Sequence, residues 1–308
     1  MPAPSGSLPA KQIHRAGWII ADHSTVIRDG YLETENGWIT GVHKGIPRQH
    51  HVDHGPGVLM PAFVNTHLHL ELSALKNGLP FDHGFQAWVQ ALLKKRQAMG
   101  QDVMIGKARS ALADLRRTGT FTIGEVSTLG ITRDLFSSSE WSGVFFQEYL
   151  GAGQAEGDVR KNDRFSFSLA GHAPHTTSPD LLKALKSRTL ALGLPFSIHV
   201  AESSAESEFI ERRKGEWADF LTSRGIDYSD WQIGSRPPVA YLHDLGLLDE
   251  KTIAVHLLQI TPADLDILAR SGAVPCVCPR SNRNLHKRLP DIEAMVRIGL
   301  EPDRKSVV

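Results

Sequence analysis

The stretch Pro61-Ala62-Phe63-Val64-Asn65-Thr66-His67-Leu68-His69 decides the class of fold. It reads as a buried strand that ends in two histidines, and on extended chain residues two apart point the same way. A helix follows, and its apolar residues keep the spacing of one helical face: Phe85, Trp88, Val89, Leu92 and Leu93. A repeat of strand and helix therefore begins at this stretch.

The strand–helix alternation continues through the rest of the chain. Six further strands are predicted at 120–126, 143–149, 165–170, 195–200, 252–257 and 274–278. Later helices are predicted at 178–192, 205–221, 262–271 and 289–298. Such alternation produces a parallel sheet, and the lack of a glycine-rich phosphate loop after the first strand favours a barrel over a dinucleotide-binding sheet. We therefore predict a TIM-like (β/α) barrel of about seven units over residues 60–308.

Residues 1–59 have a different pattern and predict a separate, small β unit. Short apolar strands there are separated by Asp29-Gly30 and Asn36-Gly37. Both dipeptides favour the tight turns of β-hairpins.

Charge and cysteine usage restrict the class of protein. Lys+Arg and Asp+Glu both total 34, which argues against a nucleic-acid or membrane partner. The N-terminus has no charged head followed by an apolar stretch, and no window approaches the ~18 apolar residues of a membrane span. Cys276 and Cys278 are too close together to favour a disulfide, so we expect a reduced, cytoplasmic protein in which both pack in strand seven.

Histidines and carboxylates gather where the predicted strands end. His67 and His69 follow strand one, His175 follows strand four, and His199 and His256 end strands five and six. Glu125 ends strand two, and Glu202 follows His199 by three residues. In a barrel all of these ends open on one face, where imidazoles are natural ligands for zinc or a similar ion.

Each histidine alone has a simpler explanation. A single histidine in an apolar strand, such as His199 or His256, is more often a hydrogen-bonded core residue. The simpler explanation must place histidines at the ends of four strands independently, so the set favours a metal centre. His69-Leu70-Glu71 and residues 275–278 resemble a zinc signature that consists of H-x-E followed by P-C-x-x-C. The match is rejected because one residue lies between the two cysteines, where the signature has two.

Five motifs in order along the chain resemble the amidohydrolase superfamily. The first is the stretch 61–69. The others are similar to the deaminase branch of that superfamily: Ala173-Pro174-His175, Ile198-His199-Val200-Ala201-Glu202, Val255-His256 and Cys278-Pro279-Arg280-Ser281-Asn282. The resemblance spans residues 15–302. It is to the group that contains adenosine-type, methylthioadenosine/adenosylhomocysteine and aminodeoxyfutalosine deaminases, and the stretch 215–248 is most similar to the last of these.

The resemblance implies a role for each matching residue. One divalent metal ion, with zinc favoured and iron as the alternative, would be bound by His67, His69 and His199. Glu202 would shuttle protons, and His256 would hydrogen-bond the attacking water and the forming tetrahedral centre. The implied substrate-binding residues are His175, Arg280, Ser281 and Asn282.

The implied reaction is hydrolytic removal of an amino group from a purine-nucleoside-like ring, in an adenosine derivative or aminodeoxyfutalosine. A bound cation lowers the pKa of water from 15.7 toward ~7, and a neighbouring carboxylic acid can protonate a ring nitrogen. Two alternatives stay open: cyclic-amide hydrolysis or ring dechlorination at the same site, and an inactive remnant. A small-molecule substrate is the expected partner, with self-association as a homo-oligomer as a further expectation.

The chain departs from the family pattern near its end. The family has an Asp in a Gly-Thr-Asp context at the end of strand eight, whereas Asp303 has no Gly-Thr before it and is not assigned that role. The sequence therefore predicts a barrel truncated before strand eight, with residues 10–59 as half of the small β-sandwich that such enzymes build from both chain ends. It also predicts weaker metal binding, lower solubility and impaired turnover.

Overall fold

The chain folds as two compact units, Met1–Ala62 and Phe63–Val308, in a computed structural model that describes residues 11–81, 84–137 and 141–300. Asp303 lies outside the described residues. Within those ranges no helix combines the length and the apolar character that crossing a lipid bilayer requires.

The first unit is a small, mostly antiparallel sheet. Its strands are β1 (Lys11–Ile20), β2 (Val26–Glu35), β3 (Trp38–Lys44), β4 (Val52–Asp53) and β5 (Val58–Leu59). Strands β3, β2, β1 and β4 lie side by side in that order, and β5 also pairs with β1. This arrangement gives the small β unit that the sequence predicts for this region.

The two predicted hairpin turns have different outcomes. Asn36 and Gly37 connect β2 to β3, and both have the positive φ angles, 51° and 83°, that such a turn requires. The turn predicted at Asp29-Gly30 is wrong, because both residues lie inside β2. Asp29 has a φ of 50° there, and the pairing with β1 continues on both sides of it, so its left-handed backbone is an irregularity within a strand.

The second unit contains seven parallel strands, which confirms the predicted barrel class. They are β6 (Phe63–Leu68), β7 (Thr120–Ser127), β8 (Ser142–Tyr149), β9 (Phe165–Gly171), β10 (Phe196–Val200), β11 (Thr252–His256) and β12 (Val274–Cys276). Each pairs with the next in sequence, so spatial order follows chain order. The sheet curls until Thr66 Oγ1 on β6 lies 3.2 Å from Cys276 Sγ on β12. Cys276 and Cys278 are buried together against Val255 and form no disulfide.

The helices follow the strands in most units. Within the described ranges they are α1 (Phe85–Gln97), α2 (Gln101–Arg117), α3 (Pro179–Leu190), α4 (Ser204–Arg212), α5 (Glu216–Ser223), α6 (Pro238–Asp244), α7 (Pro262–Ser271), α8 (Pro279–His286) and α9 (Ile292–Arg297). Short 3-10 helices occupy Leu70–Leu75 and Arg133–Phe136.

Two features of the helical layer differ from the sequence prediction. The single helix predicted at 205–221 is two helices, because Arg213 and Gly215 take left-handed φ angles of 57° and 91° and end the regular spiral. Helices α6 and α8 were not predicted. Each begins at a proline, which is favourable in a first helical turn. α8 starts shortly after β12, next to the carboxyl end of that strand.

Alternate residues of the strands pack on opposite faces of the sheet. Phe145 packs with Ala108 and Leu112 of α2, whereas Phe146 packs with Val126 and other neighbours on the adjacent strands. The sheet is therefore apolar on both faces, and polar side chains are concentrated at the carboxyl ends of its strands.

The close contact between β6 and β7 gives a test of the strand register. A Cβ at Gly124 on β7 would collide with the carbonyl oxygen of Thr66 on β6. Gly124→Ala should therefore lower the free energy of unfolding by about 1–3 kcal/mol, measured by urea denaturation followed by circular dichroism. Gly106→Ala is the matched control, because that position lies on α2 with open space around it. It should gain up to ~1 kcal/mol, and a Gly124→Ala variant as stable as wild type would refute the register.

Candidate metal centre and active site

Three histidines converge at the carboxyl ends of β6 and β10. The Nε2 atom of His67 lies 3.1 Å from Nε2 of His69 and 3.0 Å from Nε2 of His199. His67 and His199 are buried, and His69 is partly buried. The structure thus brings together the three residues that the sequence proposes as metal ligands, with all three ligand atoms within 4.8 Å of one another.

The protonation of these rings favours a cation between them. His199 Nδ1 lies 2.6 Å from the carbonyl oxygen of His172, which can only accept, so Nδ1 carries the proton and Nε2 has a free lone pair. Burial, with the nearby His172 second, lowers the pKa of His199 to about 3. Burial and His199 likewise hold the pKa of His67 well below its usual range. The rings of His67 and His199 are therefore neutral near pH 7.

One proton cannot satisfy the contacts that remain. A proton on His67 Nε2 could be donated to His69 or to His199, but not fully to both. In the contact that lacks the proton, the lone pairs of the two nitrogen atoms would point at each other. A cation resolves both contacts, and separations of 3.0–3.1 Å allow an ion to bond each nitrogen at ~2.0–2.1 Å. The donor set therefore fits a zinc-like ion.

A carboxylate lies beside this cluster, between two further histidines. Glu202 Oε1 is 3.1 Å from His286 Nε2 and 3.5 Å from His256 Nε2. Burial alone would raise the pKa of Glu202, but the charges of His256 and His286 and the hydrogen bond from His286 outweigh it and hold the pKa below its ordinary value. Glu202 is therefore ionised and able to accept a proton.

His256 faces both the carboxylate and the three-histidine cluster. Its ring centroid lies 5.3 Å from that of His199 and 6.3 Å from that of His67. Its Nδ1 atom is 2.8 Å from Asn282 Oδ1, so Nδ1 donates and Nε2 is the atom turned toward Glu202. His256 also has an unusual φ of 79°. Strained backbone of this kind is concentrated at functional sites.

The predicted substrate-binding residues lie in different surroundings. His175 is buried, with its ring 4.3 Å from that of Trp217 and its Nδ1 3.9 Å from Glu206 Oε2. Asn282 is fully buried against His256. On the same helix Ser281 is partly exposed and Arg280 is exposed. A substrate contact for each of the four stays a prediction.

Comparison with known protein families identifies the family of the chain. The model of the amidohydrolase family matches residues 58–301, which is most of the chain. The chain belongs to the amidohydrolase family.

Relatives of this amidohydrolase include named deaminases. It is 29% identical over 266 residues to the aminodeoxyfutalosine deaminase of Deinococcus radiodurans, covering 79% of this chain and 62% of that protein. It is 28% identical over 319 residues to the 5-methylthioadenosine/S-adenosylhomocysteine deaminase of Nitratidesulfovibrio vulgaris strain DP4, covering 95% and 67%. The chain therefore spans less than two thirds of the length of the first relative.

A solved structure supports the fold independently. The Helicobacter pylori aminofutalosine deaminase, in complex with methylthio-coformycin, superimposes with a TM-score of 0.80 at 21% identity, over 94% of this chain and 75% of that one. At this level of identity the likeness concerns the fold.

Buried carboxylates hold the loops of the amidohydrolase site in place. Glu125 accepts hydrogen bonds from the backbone N–H of Leu70, the residue after His69, at 3.0 Å and from Thr132 Oγ1 at 2.8 Å. Burial raises the pKa of Glu125 well above its usual value. Glu206 accepts from the N–H groups of Ala201 and Glu202, both at 2.8 Å, and burial raises its pKa to about 8.

Three further residues close to this cluster are not predicted from the sequence. Glu148 is the last residue but one of β8 and His172 follows β9, and both offer a ligand atom within 4.8 Å of a ring nitrogen of His199. The rule that found the other histidines, polar residues where strands end, would have found these two. His286 gave no such signal, because it lies on α8, which was not predicted to be a helix.

Loss of a ligand gives a direct test of the centre. His67→Ala should abolish retained metal after dialysis, measured by elemental analysis of purified protein, because it removes the nitrogen common to both short contacts. His69→Ala should do the same. His175→Ala is the control, and it should keep the metal because its ring contacts Trp217 and Glu206 instead. Equal loss of metal in all three variants would contradict this assignment.

Proposed function

We propose that this amidohydrolase is a metal-dependent hydrolytic deaminase that acts on the amino group of a purine-nucleoside-like ring, in an adenosine derivative or aminodeoxyfutalosine. The observation that carries the proposal is the ionised, buried Glu202, placed between His256 and His286 and beside the three histidines. The names of the relatives support the choice of substrate class.

The proposed ligands are His67, His69 and His199, and the donor set favours zinc, with iron as the alternative. When bound, such a cation supplies the positive charge that lowers the pKa of water toward ~7. Proton transfer and stabilisation of the tetrahedral centre are assigned to side chains of the protein itself.

Glu202 is the proposed proton shuttle. As a carboxylate it accepts the proton of the attacking water while the water oxygen bonds to the aminated ring carbon. As a carboxylic acid it then gives that proton to the ring nitrogen. The remaining proton of the new hydroxyl group then passes to the amino nitrogen, the carbon–nitrogen bond breaks with its electron pair going to that nitrogen, ammonia leaves, and the ring carbon becomes a carbonyl.

His256 is proposed to stabilise the tetrahedral centre. Because Nδ1 is engaged by Asn282, only Nε2 is available to hold a proton and donate it to developing negative charge. Asn282 thus fixes the orientation of His256. The aromatic side chains nearby, with Phe85 against His286 and Trp217 against His175, provide apolar surroundings suited to a planar ring.

Turnover of a defined panel tests the proposal. Zinc-loaded protein should release ammonia from at least one of adenosine, methylthioadenosine, S-adenosylhomocysteine and aminodeoxyfutalosine. Glu202→Gln should keep its metal and lose ~10²–10⁴ in kcat, because it cannot shuttle a proton. Glu293→Gln, at a side chain that is 89% exposed, is the matched control and should keep wild-type rates.

The same panel distinguishes the alternatives. For this purpose it is extended with guanine, a cyclic amide and a halogenated triazine. Ring opening or chloride release without ammonia would replace deamination with one of the other reactions. Metal-loaded protein with no turnover of any compound would favour a binding-only remnant and overturn the proposal.

A further inference from the structure

Helix α8 delivers two side chains to the active site from one face. Asn282 and His286 are four residues apart, which places them one helical turn apart on the same side. Asn282 contacts His256 at the end of β11, and His286 contacts Glu202 just after β10. The helix therefore touches both residues proposed to move protons.

His286 packs against an aromatic ring in addition to its contact with Glu202. Its side chain is 9% exposed, and the ring of Phe85 packs against it with centroids 4.8 Å apart. Phe85 in turn packs against Trp88 and Trp217 at 6.1 and 6.3 Å. A ring confined in this way loses little further freedom when it forms a hydrogen bond.

The contact with Glu202 has a defined direction. A carboxylate oxygen can only accept, so His286 Nε2 donates its hydrogen to Oε1 over 3.1 Å. His256 Nε2 lies 3.5 Å from the same oxygen, at the outer limit of a hydrogen bond. His286 therefore makes the shorter of these two contacts. The backbone N–H of Glu202 is fixed separately by Glu206.

We propose that His286 is a positioning residue for the proton shuttle: its Nε2–H fixes Oε1 of Glu202 and thereby sets the orientation of the second oxygen, which exchanges the proton with water and ring nitrogen. This inference rests on the proposed function for its kinetic consequence, but not for the contact itself. A carboxylate without this bond can rotate about its side-chain torsions, and misplacement of a catalytic group slows the reaction more than it weakens binding.

The substitutions follow from the reach of each side chain. Leucine at 286 fills similar apolar space against Phe85 and donates no hydrogen. Glutamine has an amide nitrogen at a reach comparable to Nε2 and can donate to Oε1. His286→Leu should lower kcat by about 10- to 100-fold, the loss expected for a hydrogen bond to a charged group, with KM changed less than about threefold. His286→Gln should recover kcat to within about threefold of wild type.

A surface histidine supplies the matched control. His243 on α6 has a side chain that is 56% exposed and lies beside Asp244. His243→Leu should leave kcat and KM unchanged. If His286→Leu and His286→Gln lose activity equally, the hydrogen bond is not what His286 supplies, and the positioning role is overturned.

A spectroscopic measurement tests the contact without turnover. In protein labelled with ¹⁵N-histidine, the Nε2–H signal of His286, assigned by its loss in His286→Gln, should be protected from exchange with water. In Glu202→Leu that protection should be lost. Protection unchanged in Glu202→Leu would refute the contact. If the contact is present but wild-type protein turns over no substrate, the proposed function fails and the contact stands.

Discussion

The close approach of His67 Nε2 to Nε2 of both His69 and His199 is the constraint on which the rest of the site depends. Ring nitrogens at 3.0–3.1 Å are unfavourable neighbours unless a positive charge lies among them, because one proton cannot serve two acceptors fully. The side chains around this cluster are consistent with a bound cation. An ionised Glu202 and a His256 oriented by Asn282 lie beside this cluster, where a bound cation would make water nucleophilic.

The barrel holds these nitrogens together at several points. Glu125 and Glu206 accept backbone N–H groups next to His69 and at Glu202, so the strand-end loops are fixed by side chains that are themselves buried. Glu71 does the same for the loop after β7, accepting from the N–H groups of Thr128 and Leu129 at 3.1 Å. Side chains that hydrogen-bond the loops next to metal ligands, without binding the metal themselves, keep those ligands within the small range of positions that a metal site requires.

The fold was most predictable from the sequence where the spacing of apolar residues shows directly which side chains are buried. The seven parallel strands were predicted to within a few residues, since apolar runs between helices have few other interpretations. Prediction was less successful where the backbone conformation of a single residue decides whether a strand or helix continues. Asp29-Gly30 has the composition of a turn but lies in a strand, and a left-handed residue at Arg213 divides an apparently continuous helix. His286 could not be predicted, because its contact with Glu202 depends on α8, a helix that the sequence pattern does not indicate.

X-ray absorption at the zinc edge of the zinc-loaded chain tests the three-histidine centre most directly. It reports the kind, number and distance of the atoms bound to the ion, independently of any substrate. The expected result is three imidazole nitrogens at ~2.0–2.1 Å, completed by oxygen. A first shell with fewer than three imidazoles, or with sulfur at ~2.3 Å from Cys276 or Cys278, would contradict a centre built on His67, His69 and His199.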